Sequence, residues 1–170
     1  MYMGERITVD IDNTLLEAAG DELLPGSEKL LALLHRTSLE VIIWTIGDSS
    51  RINDLIDALE RSDSYFKDEA LRLVLSAACY SRGDRIPEPN DSSLDEDTVA
   101  IARAKYNRGI KVPLAIGARV TIDDDSEVIN LADEMGYTAI DPSIGRPREK
   151  DDLGINSWAS NIVNIALANA

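Results

Sequence analysis

The sequence predicts an α/β fold: a doubly wound parallel sheet with helices on both of its faces. Three short runs of β-branched and apolar residues begin at Ile7, Val41 and Val120, and none of them alternates with polar residues. Uninterrupted runs of this kind are typical of strands that are covered on both faces. Segments with helical spacing of apolar residues separate the runs, and this alternation favours parallel strands joined by right-handed crossovers.

The first half of the chain alternates strand and helix in this way. The first strand is followed by Pro25-Gly26-Ser27, which opens a helix with Ser27 as its N-cap and leucines as its apolar face. A second strand covers 41–45, and the next helix extends to about Arg61. The stretch 71–75 fits either a third strand or part of a helix from 66 to about 80, and both interpretations stay open.

The second half continues the alternation after a loop over 81–93, which is rich in turn-forming residues. Pro113 and Gly117 bound a helical turn, since proline is favoured at the start of a helix and glycine at its end. The remaining predicted elements are a helix over about 95–107, a strand over 120–123, a helix over 126–135, a strand over 138–141 and a helix over about 157–168.

Three of the predicted strands end in polar residues. Asp10 and Asp12 end the first strand, Thr45 ends the second, and Asp123 and Asp124 end the strand that begins at 120. Parallel strands share their carboxyl edge, and open α/β sheets bind ligands there. Crowded carboxylates repel one another, so a cation or a proton is needed to keep them together. The pattern predicts a divalent metal and acid/base or nucleophilic chemistry at one place.

Composition restricts the class of protein and its partners. The chain has 170 residues, 44% hydrophobic and 28% charged, and we expect a single domain over 1–170. Its net charge of −14 disfavours polyanions such as DNA or long RNA. No apolar run is long enough to span a membrane, and the single cysteine excludes an internal disulfide framework. With no secretory signal in the sequence, we expect a cytoplasmic protein.

The polar strand ends resemble the motifs of the haloacid dehalogenase (HAD)-like hydrolase superfamily, a group of Mg²⁺-dependent phosphatases and phosphotransferases with a Rossmann-type fold. Residues 9–14 (Val-Asp-Ile-Asp-Asn-Thr) are similar to its first motif, Ile43-Trp44-Thr45 to its second, and Ile122-Asp123-Asp124 to its fourth. The resemblance covers about residues 5–141 in the order of the family, and residues 142–170 carry no motif of it.

The resemblance implies a role for each polar strand end. Asp10 is the nucleophile that forms an aspartyl-phosphate, and Asp12 is the general acid and base. Mg²⁺ is the cofactor, bound by Asp10, the backbone carbonyl of Asp12 and Asp123, with Asp124 as an alternate ligand or a neighbour of the ligands. Thr45 holds the phosphoryl oxygens together with a lysine.

The lysine of the third motif is matched by Lys111 or by Lys105. Lys111 stands just before the turn over 112–117, which leads directly into the strand over 120–123. A segment that leads into a strand begins near the ligand-binding edge of a doubly wound sheet, so we favour Lys111 as the catalytic and phosphate-binding lysine. Lys105 lies late in the preceding helix and stays an alternative.

The two positions at which members of the superfamily insert a cap domain are short in this chain. Residues 13–39 hold a loop and one helix, and residues 76–94 are polar and contain prolines. We therefore expect a minimal, uncapped member with an open site. The expected substrate is a small phosphomonoester or a phosphoprotein, nucleic acid is disfavoured by the charge, and oligomerisation stays open.

Two other functions stay open as well. A phosphate- or metal-binding module that no longer turns over, with a regulatory or assembly role, would keep the same fold and much of the same site. A receiver-like signalling domain also has acidic strand ends, but it would not need Asp-x-Asp-x-Thr after its first strand. Turnover of phosphomonoesters with and without Mg²⁺ separates these functions.

Several other residues that could carry chemistry have a structural interpretation. Asp48 and Asp125 each precede a helix, and we interpret both as helix caps. Thr14 is expected to fasten the loop after the first strand. His35 is interpreted as a structural or surface residue of the first helix, and Cys79 as a core residue.

Overall fold

The computed structural model describes residues 4–170, and its strands form one five-stranded sheet in which every pair is parallel. The strands are β1 (Arg6–Val9), β2 (Glu40–Trp44), β3 (Ala78–Tyr80), β4 (Ala118–Ile122) and β5 (Thr138–Ile140). The helices are α1 (Ser27–His35), α2 (Ser50–Glu60), α3 (Lys67–Ser76), α4 (Glu96–Tyr106), α5 (Ser126–Met135) and α6 (Gly154–Asn169), with a 3₁₀ turn at Pro113–Ile116. The predicted α/β fold with a parallel sheet is confirmed.

Helices cover both faces of the sheet because successive residues of a strand point to opposite sides. Val41 and Ile43 of β2 belong to a core that includes residues of α1, α2, α3 and α6. Ile42 and Trp44 of the same strand belong to a second core, which includes residues of α4 and α5. The sheet is therefore buried on both faces, in a doubly wound, Rossmann-like arrangement.

The order of the strands creates a crevice at the centre of the sheet. The order is β3-β2-β1-β4-β5, so the chain builds outward from β1 to β3 and then returns to the other side of β1. Doubly wound sheets bind ligands at such a switch point, outside the carboxyl ends of the strands. Val9 of β1 pairs with Ile122 of β4, so Asp10 and Asp123 leave the sheet side by side.

The ambiguous stretch from 66 to 80 contains both a helix and a strand. The helix α3 ends at Ser76 and β3 begins at Ala78, so residues 71–75 are helical. The strand is too short to produce a periodic signal of its own. Its three residues pair with Ile42, Ile43 and Trp44 of β2, which decides their conformation.

Two predicted helix starts are wrong. The N-cap of α1 is Gly26, whereas the buried Ser27 donates a 2.8 Å hydrogen bond from Oγ to the carbonyl oxygen of Leu15. Ser27 therefore fastens the loop before α1 and does not cap the helix. The last helix begins at Gly154 and not at 157, because Asp152 Oδ1 accepts a 2.7 Å hydrogen bond from the Gly154 N–H and extends the helical start.

No cap domain is present within the described range, as expected. Residues 10–26 contain turns and isolated bridges, and residues 81–95 contain neither helix nor strand. The carboxyl edge of the sheet is thus bordered by loops alone. Among residues 4–170, none of the helices combines the length and the apolar character that crossing a bilayer requires.

Gly26 provides a test of how tightly α6 packs beneath the loop before α1. Its φ is +85°, and a Cβ there would lie 2.7 Å from Cζ3 of Trp158. We expect Gly26→Ala to lower the free energy of unfolding by about 3 kcal/mol, because the left-handed backbone costs about 1 kcal/mol and overpacking adds about 2. Urea denaturation measures the change.

The matched control is Gly136→Ala. Gly136 has a φ of +80°, and a Cβ there would meet no atom within 4 Å. This variant should lose only the backbone contribution of about 1 kcal/mol. Equal losses in the two variants would contradict the close packing of Trp158 against Gly26.

Candidate functional site

The carboxylates of Asp10 and Asp123 are the centre of the candidate site. Each follows the last residue of a central strand, Asp10 after β1 and Asp123 after β4. Both are buried, with 6% of Asp10 and 1% of Asp123 exposed. Buried carboxylates are costly unless a positive charge balances them.

Lys111 provides that charge. Its Nζ lies 2.7 Å from Asp10 Oδ1 and 3.1 Å from Asp123 Oδ2, and it donates a 2.8 Å hydrogen bond to the carbonyl oxygen of Trp44. The 3₁₀ turn that follows Lys111 begins at Pro113 and carries the chain into β4. The structure thus brings Lys111 to the two strand ends.

Lys105, the alternative lysine, lies in the last turn of α4. Within residues 4–170 it forms no ion pair with an acidic side chain, in contrast to the two ion pairs of Lys111. Of the two lysines, only Lys111 contacts the carboxylates at the strand ends.

Burial and charge shift the pKa values of this cluster. Burial raises the pKa of Asp123 to about 6, because the attraction of Lys111 only partly compensates and the Asp10 carboxylate repels. Burial likewise raises the pKa of Asp10, although Lys111 lowers it. Burial lowers the pKa of the Lys111 ammonium. The combined attraction of Asp10 and Asp123 outweighs burial, so the pKa of Lys111 is raised overall.

Three carboxylates are close enough together to share a metal ion. Oxygen atoms of Asp10, Asp123 and Asp124 all lie within 4.8 Å of one another. Asp123 Oδ2 is buried and lies 3.1 Å from the Lys111 ammonium, its ion-pair partner among the residues that the structure describes. Three carboxylates carry more negative charge than the one Lys111 ammonium beside them balances, which fits a divalent cation, so these aspartates could hold one.

The Asp12 side chain lies outside this group of carboxylates and is held by Arg51 of α2. Arg51 Nε donates a 2.7 Å hydrogen bond to Asp12 Oδ1, and the same guanidinium donates to the carbonyl oxygens of Glu17 and Gly20. An ion pair with Asp54 completes its contacts, and the Arg51 side chain is only 15% exposed. Asp12 therefore has a defined orientation at the rim of the site.

Thr45 lies on the same side of the site as Asp12. It is fully buried, and its Oγ1 accepts a 3.0 Å hydrogen bond from the Gly47 N–H. A Cβ on Gly47 would lie 3.2 Å from Thr45 Oγ1 and 3.4 Å from Asp12 Oδ2, so both oxygens face the same point beside Gly47. A side chain at that position would crowd both groups.

The loop after β1 is fastened from both of its ends. Asn13 has a φ of 59°, a conformation that asparagine tolerates better than most residues. Thr14 Oγ1 lies 3.4 Å from Asp10 Oδ2, so Thr14 ties the loop to the carboxylate, as expected. Arg146 donates to the carbonyl oxygens of Thr14 and Pro25, at 2.7 Å each, from the far side of the loop.

Arg146 and Arg51 are the residues at the site that the sequence did not indicate. Arg146 lies 132 positions from Thr14, and Arg51 lies 39 positions from Asp12. The ring of Trp158 lies 4.4 Å from the Arg146 guanidinium, and burial lowers the Arg146 pKa to about 10. Neither arginine follows a strand, so no local pattern marks it.

The structure confirms only some of the structural interpretations of other residues. Asp125 caps α5, since its Oδ1 accepts a 2.9 Å hydrogen bond from the Glu127 N–H. Asp48 is not the N-cap of α2, which is Ser49, although its Oδ1 accepts a 2.9 Å hydrogen bond from the N–H of Ser50, the first residue of the helix. His35 is exposed at the end of α1, and Cys79 is half-buried in β3.

The raised pKa of Asp123 predicts a pH-dependent stability of the metal-free protein. Between about pH 4 and pH 6 the folded state keeps a proton that the unfolded state has released, so stability falls as the pH rises through this window and levels off above it. From pH 4.5 upward we expect wild type to lose about 2 kcal/mol relative to Asp123→Asn. Urea unfolding in EDTA from pH 4.5 to 8 measures this difference, and a constant difference would contradict the raised pKa.

The ion pairs of Lys111 predict a large loss of stability when the ammonium is removed. We expect Lys111→Met to lower the free energy of unfolding by about 3 kcal/mol in EDTA, because Asp10 and Asp123 stay buried without their cation. Lys105→Met is the control and should change stability by less than about 0.5 kcal/mol. If both variants lose the same amount, Lys111 is not the balancing charge.

Comparison of the chain with protein-family models, with curated proteins and with solved structures gives no significant match. The resemblance to the HAD-like superfamily therefore rests on the motif residues alone. Among these residues, Lys111 forms ion pairs with Asp10 and with Asp123. Thr45 lies beside Asp12, next to Gly47.

Proposed function

We propose that the protein is a Mg²⁺-dependent phosphomonoester hydrolase of the HAD type that acts through an aspartyl-phosphate on Asp10. The observation that carries the proposal is the convergence of Asp10, Lys111, Asp123 and Asp124 at the switch point of the sheet. Phosphoryl transfer depends mainly on positioning and on charge stabilisation, and this cluster provides both.

Asp10 has the surroundings that a carboxylate nucleophile needs. Lys111 and Thr14 hold its two oxygens from different sides, which fixes the direction of the carboxylate. In the first step an oxygen of Asp10 bonds to phosphorus as the ester P–O bond breaks. Lys111 reduces the repulsion between the carboxylate and the dianionic phosphate, and this repulsion is the main obstacle to the attack.

Asp12 is suited to move the protons. Arg51 holds its Oδ1, while its Oδ2 faces the point beside Gly47 and Thr45. Asp12 protonates the leaving alkoxide as the ester bond breaks, and then takes a proton from the water that attacks the aspartyl-phosphate. The second step releases inorganic phosphate and returns Asp10 to its starting state.

Thr45 is placed to hold the phosphoryl group. Its hydroxyl oxygen accepts from the Gly47 N–H, so the hydroxyl proton is available for a phosphoryl oxygen. Lys111 provides the matching positive charge from the other side.

Asp10, Asp123 and Asp124 would hold the Mg²⁺ ion, with the backbone carbonyl of Asp12 as a further ligand. Oxygen ligands alone are what Mg²⁺ prefers, and the clustering of the three carboxylates supports a cation at this position. When bound, the ion supplies positive charge that offsets the charge on the phosphoryl oxygens.

The experiment is a screen of phosphomonoesters with and without Mg²⁺. We expect turnover that requires Mg²⁺ and falls by at least about a thousandfold in Asp10→Asn, because this change keeps the shape but removes the nucleophile. Asp133→Asn is the control, since Asp133 is exposed on α5. Equal rates of hydrolysis for wild type and Asp10→Asn on every substrate would exclude a hydrolase that uses Asp10 as its nucleophile.

A phosphate- or metal-binding module without turnover is the second candidate. The observation in its favour is the Asp12–Arg51 ion pair at 2.7 Å, which engages the group that must exchange protons. This function predicts that beryllium fluoride with Mg²⁺ raises the melting temperature of wild type but that no ester is hydrolysed. Hydrolysis that depends on Asp10 excludes it.

A further inference from the structure

A cavity opens beside the candidate site, on the same edge of the sheet. It has a volume of about 520 Å³. Ile46, which directly follows Thr45, forms one wall, and Gly109, two residues before Lys111, lies on another. The loop after β3 closes the third side with Arg82 and Arg85.

The walls of this cavity are held in place by hydrogen bonds. The Arg82 N–H donates to the carbonyl oxygen of Gly47 at 2.9 Å, which ties the loop after β3 to the loop after β2. Tyr106 of α4 donates from its hydroxyl to the carbonyl oxygens of Ser81 and Asp84, at 3.1 and 3.2 Å. A cavity with fixed walls binds a ligand without the cost of ordering them.

Arg82 and Arg85 carry positive charge at the wall of the cavity that no ion pair among the described residues engages. Both are exposed, and neither forms an ion pair with any residue that the structure describes. Asp84, which lies between them in the chain, also lines the cavity and keeps its negative charge, but its Oδ2 is directed to the N–H and Oγ of Ser81 and not to either arginine. Ion pairs are instead made by other arginines of this acidic chain: Arg6, Arg36, Arg51, Arg61, Arg103 and Arg119.

We propose that this cavity binds a second anionic group of the substrate, so that the preferred substrates are small phosphomonoesters that also carry a carboxylate or another phosphate. The inference rests on the proposed hydrolase function and specifies its substrate class. In this arrangement the phosphoryl group would bind at Asp10, the carbon skeleton would extend past Ile46 of the cavity wall, and the second anion would reach Arg82 and Arg85. The guanidinium group is well suited to carboxylates and phosphates because it donates two parallel hydrogen bonds.

The shape of the cavity favours a small molecule over an acidic phosphopeptide. Its volume lies within the range of about 300–1,000 Å³ that is usual for small-ligand pockets. It is also concave and bordered by two loops and the end of α4, whereas an extended peptide needs a groove that continues across the surface.

The test compares two matched pairs of phosphomonoesters. 3-Phosphoglycerate and glycerol 3-phosphate differ by a carboxylate in place of a hydroxymethyl group, and so do 6-phosphogluconate and sorbitol 6-phosphate at a greater distance from the phosphate. We expect wild type to prefer the carboxylate-bearing member of at least one pair by about tenfold in kcat/KM, since charged hydrogen bonds are of that strength.

The arginine variants show whether the cavity causes this preference. We expect the ratio of kcat/KM within the pair to fall at least about fivefold in Arg82→Gln and in Arg85→Gln. Arg72→Gln is the matched control, because Arg72 is exposed, lies on α3 outside the cavity and is also without an ion pair among the described residues. Its ratio should equal that of wild type, and circular dichroism checks the folding of all three variants.

The outcomes separate this inference from the proposed function. Turnover with no preference, or with a preference that Arg82→Gln and Arg85→Gln keep, overturns the cavity assignment and leaves the hydrolase in place. If no ester is turned over, the hydrolase fails, and calorimetric titration of wild type with 3-phosphoglycerate and glycerol 3-phosphate still tests the cavity. A phosphoserine peptide flanked by acidic residues that is turned over faster than both carboxylate-bearing esters overturns the small-molecule class.

Discussion

A single ammonium group lies between the two carboxylates that end the central strands, and the arrangement of the site depends on it. Asp10 and Asp123 are almost completely buried, and with Asp124 beside them the cluster is strongly negative. Lys111 contacts two of the three carboxylates and also donates to the carbonyl oxygen of Trp44, which links β1, β2 and β4. Burying these charged groups costs less free energy only while the ammonium and the carboxylates stay in contact. The positions of these side chains are therefore as restricted as those of the hydrophobic core.

The register of the sheet keeps the cluster together. Val9 pairs with Ile122, so the aspartates that follow both strands emerge at the same height in the crevice between β1 and β4. A slip by one residue would turn one of the two carboxylates into the apolar layer under the helices. Val9 and Ile122 themselves belong to the core, and hydrophobic packing therefore fixes the position of the charged groups.

The sequence predicts the parts of this molecule that produce a local signal. Buried strands that end in Asp10 and Asp123 are recognisable because apolar runs stop abruptly in acid, and Lys111 because it precedes a turn bounded by Pro113 and Gly117. The strand β3 gave no clear pattern because it has three residues and follows a helix after one residue. Arg51 and Arg146 could not be predicted, because they reach the site through contacts between segments far apart in the chain.

Arg146 gives the final 29 residues a part in the site although no motif lies there. Its guanidinium is held by backbone carbonyls and by the ring of Trp158, so the loop after β1 and the start of α6 share one buried charge. Two segments that share a contact of this kind are thermodynamically coupled, and coupling is reciprocal. A ligand that further stabilises the loop around Asp10 would also strengthen the docking of α6, and exchange of the amide protons of α6 would report this binding.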